Sequence, residues 1–129
     1  MKKIIVVLVI TSILIATVIL EQVFVQSTLN SLIEQINIFE TAISQTEDIN
    51  TTKINILIDN IDVFWTEKEQ LLCLSINHND LNQVGEEIKR VKAYVKQNDK
   101  KECMIELEAL IFFANSYKHV MEITPQNFF

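Results

Sequence analysis

One glycine and one proline in 129 residues leave almost no material for the tight turns of a β-sheet. Such turns draw on glycine for positive φ and on proline for a preset φ. The scarcity of both predicts an all-α protein. Two cysteines and two histidines, with no CxxC or HExxH spacing, provide no zinc site, so no metal ligand is assigned. There is no Gly-rich phosphate loop and no nucleophile elbow, so no catalytic or cofactor-binding residue is assigned and an enzyme is not expected. Basic residues are also in deficit: 11 Lys and Arg stand against 17 Asp and Glu, for a net charge of −6. Setting aside Lys2 and Lys3 makes the remainder more acidic still. A surface of that sign repels nucleic acid and anionic lipid, and neither is an expected partner for it.

What the chain does have is a long apolar run at its start. Ile4 to Leu20 carries no charge, and its polar residues are Thr11, Ser12 and Thr17. Its ~17 residues lie near the lower limit for crossing about 30 Å of hydrocarbon. Val23, Phe24 and Val25 resume the apolar character after Glu21-Gln22. Lys2 and Lys3 flank the run, and positive flanks stay in the cytoplasm. The expectation is a single-pass anchor in the cell membrane, with residues 1–24 forming the cytoplasmic tip and span and residues 25–129 a helical domain outside. A cleaved signal peptide is the competing reading. Against it, the run exceeds a usual signal core and the best following site, Val25-Gln26-Ser27, is poor. No cysteine near its end suits lipoprotein processing.

The span continues without a breaker into an apolar seam, Val25, Leu29, Leu32, Ile36, Phe39 and Ile43, spaced alternately by four and three. Ile33 and Ala42 widen it. One helix is therefore expected from Ile4 to about Thr46. Three more follow, giving an up–down antiparallel bundle of about four helices. Helix two, about Lys53 to Ile76, carries Ile54, Ile58, Ile61, Trp65 and Leu72, with Leu57 and Phe64 beside them. Helix three, about Asp80 to Gln97, carries Leu81, Val84, Ile88, Val91 and Val95. Helix four, about Lys100 to Met121, carries Cys103, Leu107, Leu110, Ala114, Tyr117 and Met121. Asp48 or Thr51 suits the N-cap of helix two, and Asp99 to Glu102 has capping-box spacing. Pro125 is expected to stop the last helix, with Phe128-Phe129 folding back.

Several residues invite sharper readings. His78, in the break Asn77-His78-Asn79-Asp80, suits a turn held by hydrogen bonds better than a metal site. Gly85 inside helix three costs about 1 kcal/mol relative to Ala, which a close helix contact would explain. Glu86-Glu87 reads as part of a solvated face. Cys73 and Cys103 fall near opposite poles of an up–down bundle, too far apart for the ~7 Å that a disulfide spans. Both are expected to be small packing residues. Ile56, Val63 and Leu74 lie off the stripe of helix two, and Ala109 to Ala114 is apolar all round. Ile56, Val63, Leu74, Phe112 and Phe113 are accordingly the candidate interaction surface.

A resemblance rests on Lys2-Lys3 with the apolar run, Trp65, Ile76-Asn77-His78-Asn79-Asp80, Ala93-Tyr94-Val95-Lys96, Asp99-Lys100-Lys101-Glu102, Glu106-Leu107-Glu108-Ala109-Leu110 and Asn127-Phe128-Phe129. In these the chain resembles an uncharacterised domain-of-unknown-function family of small anchored helical proteins from spore-forming, low-GC Gram-positive bacteria. Asn77 departs from the family's usual Asp before the His, and Leu72 stands where a second Trp is expected. The resemblance implies an anchored helical protein and assigns no activity. The function expected from residues and resemblance together is a membrane-anchored interaction or scaffold protein of the cell envelope. Its partner is an envelope protein or a second copy of the chain. A ligand-sensing ectodomain acting through a signalling partner is the alternative.

Overall fold

The computed structural model describes residues 1–121, and these form four helices: α1 (Lys2–Ser44), α2 (Thr52–Leu72), α3 (His78–Lys96) and α4 (Lys100–Met121). The stop at Pro125, the fold-back of Phe128-Phe129 and the side chain of Met121 lie outside what is described. α1 packs on α2 and α4, and α3 packs on the same two, so α1–α3 and α2–α4 are the diagonals of a four-helix square. Every seam residue of α1 from Val25 to Ile43 is fully buried. So are the stripes of α2, α3 and α4 as far as Ala114, which close into one core around Trp65 and Phe39. Ile33, Ala42, Leu57, Phe64 and Tyr117 pack half-buried at its edge.

Hydrogen bonds at the two ends establish the alternating direction of the helices. At the far pole, α3 closes with Asn98 at φ 57°, the left-handed position that Asn tolerates better than most residues. The Asn98 N–H donates to the Val95 carbonyl (3.0 Å) and that of Asp99 to Tyr94 (2.9 Å), the paired bonds of a Schellman ending. The Asn98 side chain also accepts from the Ile49 N–H at 2.8 Å, tying the α1–α2 loop to the α3–α4 loop. Lys100 adds a bond to the Thr46 carbonyl (2.8 Å). Thr51 caps α2 by accepting from the Ile54 N–H, and Asp99 caps α4 by accepting from Glu102. Only half of the capping box forms as expected, because the Asp99 N–H is committed to Tyr94.

At the near pole, where α1 enters the bundle, Gln26 donates to the Lys118 carbonyl of α4 (3.1 Å) and Tyr117 to the Asp80 carbonyl of α3 (3.4 Å). Here the expected boundaries shift. α2 ends at Leu72 rather than Ile76, because the N–H groups of Ser75 and Ile76 both turn back to the Leu72 carbonyl. That turn folds Ile76 into the core at 8 % exposure. α3 then begins at His78, two residues earlier than expected, and Asn77 is its cap, accepting from the Asn79 N–H at 2.8 Å. The hydrogen bond anticipated from His78 is thus made by Asn77, and His78 is exposed.

Candidate functional site

All residues from Met1 to Leu20 are exposed, although the apolar window within them has a mean hydropathy of 2.8. The three hydroxyls in this stretch are satisfied inside the helix: Thr11 donates to Val7, Ser12 to Leu8 and Thr17 to Ile13, each at 2.8 Å. A helix that meets its own polar needs while burying none of its apolar surface is suited to hydrocarbon. α1 is long and apolar enough to cross a membrane. Contact with the rest of the chain starts one residue later. The Ser75 hydroxyl, in the turn after α2, donates to the Glu21 carboxylate. Lys68 lies over the rings of Phe24 and Phe64, 5.8 and 6.0 Å from their centres. Beside this link runs a groove of about 590 Å³, walled by Thr17, Leu20 and Phe24 on one side and by Leu71, Leu74 and Ser75 on the other.

Of the candidate surface residues, Ile56, Val63, Leu74 and Phe112 are exposed, Leu74 at 82 %. Phe113 is half-buried against the core, with its ring edge-on to that of Phe112 at 6.1 Å. They do not converge. Ile56 and Val63 stand on α2 and Phe112 on α4, which occupy opposite corners, while Leu74 lies in the near-pole turn. Sequence reasoning missed Leu71, 52 % exposed and three residues before Leu74, and Ile105, seven before Phe112. The signal for both was helical spacing from a residue already singled out.

The polar groups of the bundle are mostly structural. Lys92 on α3 bridges Asp59 (2.9 Å) and Asp62 (3.4 Å) on α2, and its hydrogen bond to Asp59 is the main cause of its raised pKa. Glu87 departs from the solvated face expected of it: it is 8 % exposed, between α3 and α4. Burial first, then the facing Glu106 carboxylate, pushes its pKa up to about 7, against the opposing pull of Arg90, with which it pairs. Arg90 also reaches Glu86 at 4.0 Å.

Cys103 is buried as expected, and burial pushes its thiol up to about 12. Cys73 is not a packing residue: it is exposed, and its thiol donates to the Gln70 carbonyl at 2.8 Å. The two are unbonded. A cleft of about 380 Å³ between α2 and α3 has the Trp65 indole and Gly85 in its wall, with Asp62, Glu69, Glu86 and Lys89 around it. Among the described residues, no group of three or more His, Cys, Asp or Glu side chains is placed to hold a metal ion.

A family model described as a domain of unknown function (DUF4363) matches residues 19–128, beginning at the end of the apolar run and taking in the whole bundle. No curated protein and no solved structure matches the chain.

Proposed function

The chain belongs to the DUF4363 family, a domain of unknown function, and we propose that it is a membrane-anchored interaction or scaffold protein of the cell envelope. It has no catalytic role in this reading. The supporting observation is the division of α1: Ile4 to Leu20 is exposed, uncharged and mostly apolar, yet the same unbroken helix goes on to supply one side of the bundle core. Such a helix couples a span to a folded domain with no linker between them. Lys2 and Lys3 favour a cytoplasmic N-terminus, which puts the bundle outside. There its outward apolar residues, Ile56 and Val63 on α2 and Phe112 on α4, are available to an envelope protein or to a second copy. The acidic balance of the chain argues against nucleic acid as a partner.

External protease on wall-stripped cells tests the arrangement. Epitopes in the bundle should disappear while an N-terminal epitope survives. Protection of the bundle would reverse the orientation, and recovery of the whole chain in the soluble fraction would remove the anchor.

A further inference from the structure

We propose that the end of α2 and the turn after it form a second membrane contact, with Leu71 of α2 and Leu74 of the turn seated among lipid acyl chains beside the span. The proposal rests on the reading of α1 as membrane-spanning. Its starting point is a length. From Ile4 to Leu20 the helix rises ~26 Å at about 1.5 Å per residue, short of a hydrocarbon layer about 30 Å thick. The missing ~4 Å corresponds to about three further residues. They carry the hydrocarbon boundary past Glu21 to the level of Val23, which is apolar and 59 % exposed.

At that level α1 is no longer alone. The bond from the Ser75 hydroxyl to the Glu21 carboxylate holds the α2–α3 turn at the same height. A bilayer thick enough to cover the anchor therefore reaches the turn as well, where Leu74 is 82 % and Leu71 52 % exposed. The groove they line has Thr17 and Leu20 of the span as its other wall. An occupant touching both walls sits at the depth of the bilayer, which selects lipid over a soluble partner. The same bond gives the Glu21 carboxylate a donor, so that its charge is not left bare where water thins out. Lys68, stacked over Phe24 and Phe64 one helical turn before Leu72, stands where an ammonium can reach the headgroups while its stem stays apolar.

The test uses the full chain in vesicles of palmitoyl-oleoyl phosphatidylcholine and phosphatidylglycerol. On a Cys73→Ser background, with Cys103 left buried, three variants each receive an environment-sensitive fluorophore: Leu74→Cys, Leu20→Cys and Ile56→Cys. Leu74 and Ile56 are both exposed in the bundle, so neither change disturbs the core. Lipids with a doxyl group near the headgroup end of the acyl chain report contact with hydrocarbon, and iodide reports contact with water. The expected result is loss of emission to doxyl lipid at positions 20 and 74 and to iodide at position 56. If position 74 instead responds like position 56 while position 20 is quenched by lipid, the turn lies in water: the second contact is overturned and the anchor stands. If position 74 is shielded from both quenchers, protein covers the groove, either a second copy or the chain's own residues 122–129, and lipid is overturned as the occupant. If position 20 escapes the doxyl lipid, the anchor itself fails and this proposal falls with it.

Discussion

Gly85 and Glu87 sit two residues apart on α3, and each breaks a local rule in a way that can be measured. Glycine costs a helix about 1 kcal/mol relative to alanine. A β-carbon at position 85 would lie 3.6 Å from Trp65 Nε1 and 3.7 Å from Cδ1, ordinary contact distances. The close helix contact is present, yet it does not require glycine. Gly85→Ala should therefore stabilise the bundle by roughly 0.5–1 kcal/mol, an upward shift of a few degrees in a circular-dichroism melt. A lower Tm would mean that the indole cannot tolerate the methyl group. Glu87 is a question of sign. Its pKa in the folded chain is about 7, against an ordinary 4.5, so between those values the folded state holds a proton that the unfolded state has released. The associated stability is fully present below the unfolded value and is lost as pH rises through the folded one. Glu87→Gln keeps the neutral shape at every pH. It should change stability little near about pH 5 and raise it near about pH 8, by an amount on the order of 1 kcal/mol, read as a higher Tm. Equal effects at the two pH values would show a carboxyl that does not titrate between them in the folded chain.

Elements built on a simple period are legible in the sequence alone. The seam of α1 and the stripes of α2 and α3 are buried residue for residue as their spacing required, because helical period and core-facing position are the same fact seen twice. Truncating Ile36, Ile88 or Leu107 to Ala should cost about 2–5 kcal/mol in a denaturant melt. An unchanged midpoint at all three would place the core elsewhere. What periodicity could not reveal lies where chemistry and spacing disagree or where the chain leaves a helix. Glu87 is three residues after Val84 and four before Val91, squarely on the flank of the α3 stripe, yet a carboxylate there reads as solvated. Ile49 and Ile76 are buried from loops, through the Asn98 bond and the tight turn on Leu72. No period marks them. Asn98 itself gives an element-level test. Asn98→Ala keeps a β-carbon in the left-handed region without the short polar side chain that lets Asn tolerate it, and removes the acceptor of the Ile49 N–H, for a loss of about 2–3 kcal/mol. Asn98→Gly also removes the acceptor but takes away the β-carbon, so the left-handed backbone carries no strain and less should be lost. A ranking in the other order would show that backbone strain at φ 57° is not what this ending has to overcome.

At the scale of the whole molecule, the up–down path keeps the two cysteines apart, one in the near-pole turn and one in the first turn of α4 at the far pole. The native protein should take up maleimide at Cys73 alone and add Cys103 only when denatured, since that thiol is buried. Labelling of both under native conditions would mean that the far pole opens. The candidate surface is only partly legible at this scale. Leu74 stands out as apolar and off the stripe, but its nearness to Leu20 is a product of tertiary packing that spacing within one helix cannot contain. Bilayer thickness tests the consequence. Shorter acyl chains should weaken lipid quenching at position 74 well before position 20, whereas parallel loss at both would detach the turn from the membrane boundary.

The unbroken course of α1 also has a mechanical side. If its first part spans a bilayer as proposed, the stretch from Glu21 to Ser44 is a mast ~36 Å tall at about 1.5 Å per residue, stepped directly into its foundation. A mast held at a single point sways: a lean of about 10° carries its head sideways by ~6 Å, taking the Asn98–Ile49 loop junction with it. With Leu71 and Leu74 planted beside the span, the footing becomes two-pronged, and leaning toward one side has to lift a prong out of the hydrocarbon. Sway is then braced along the line joining α1 to the α2–α3 turn and free across it. A partner bound at the far pole would then swing within one plane, across that line, rather than in every direction around the anchor.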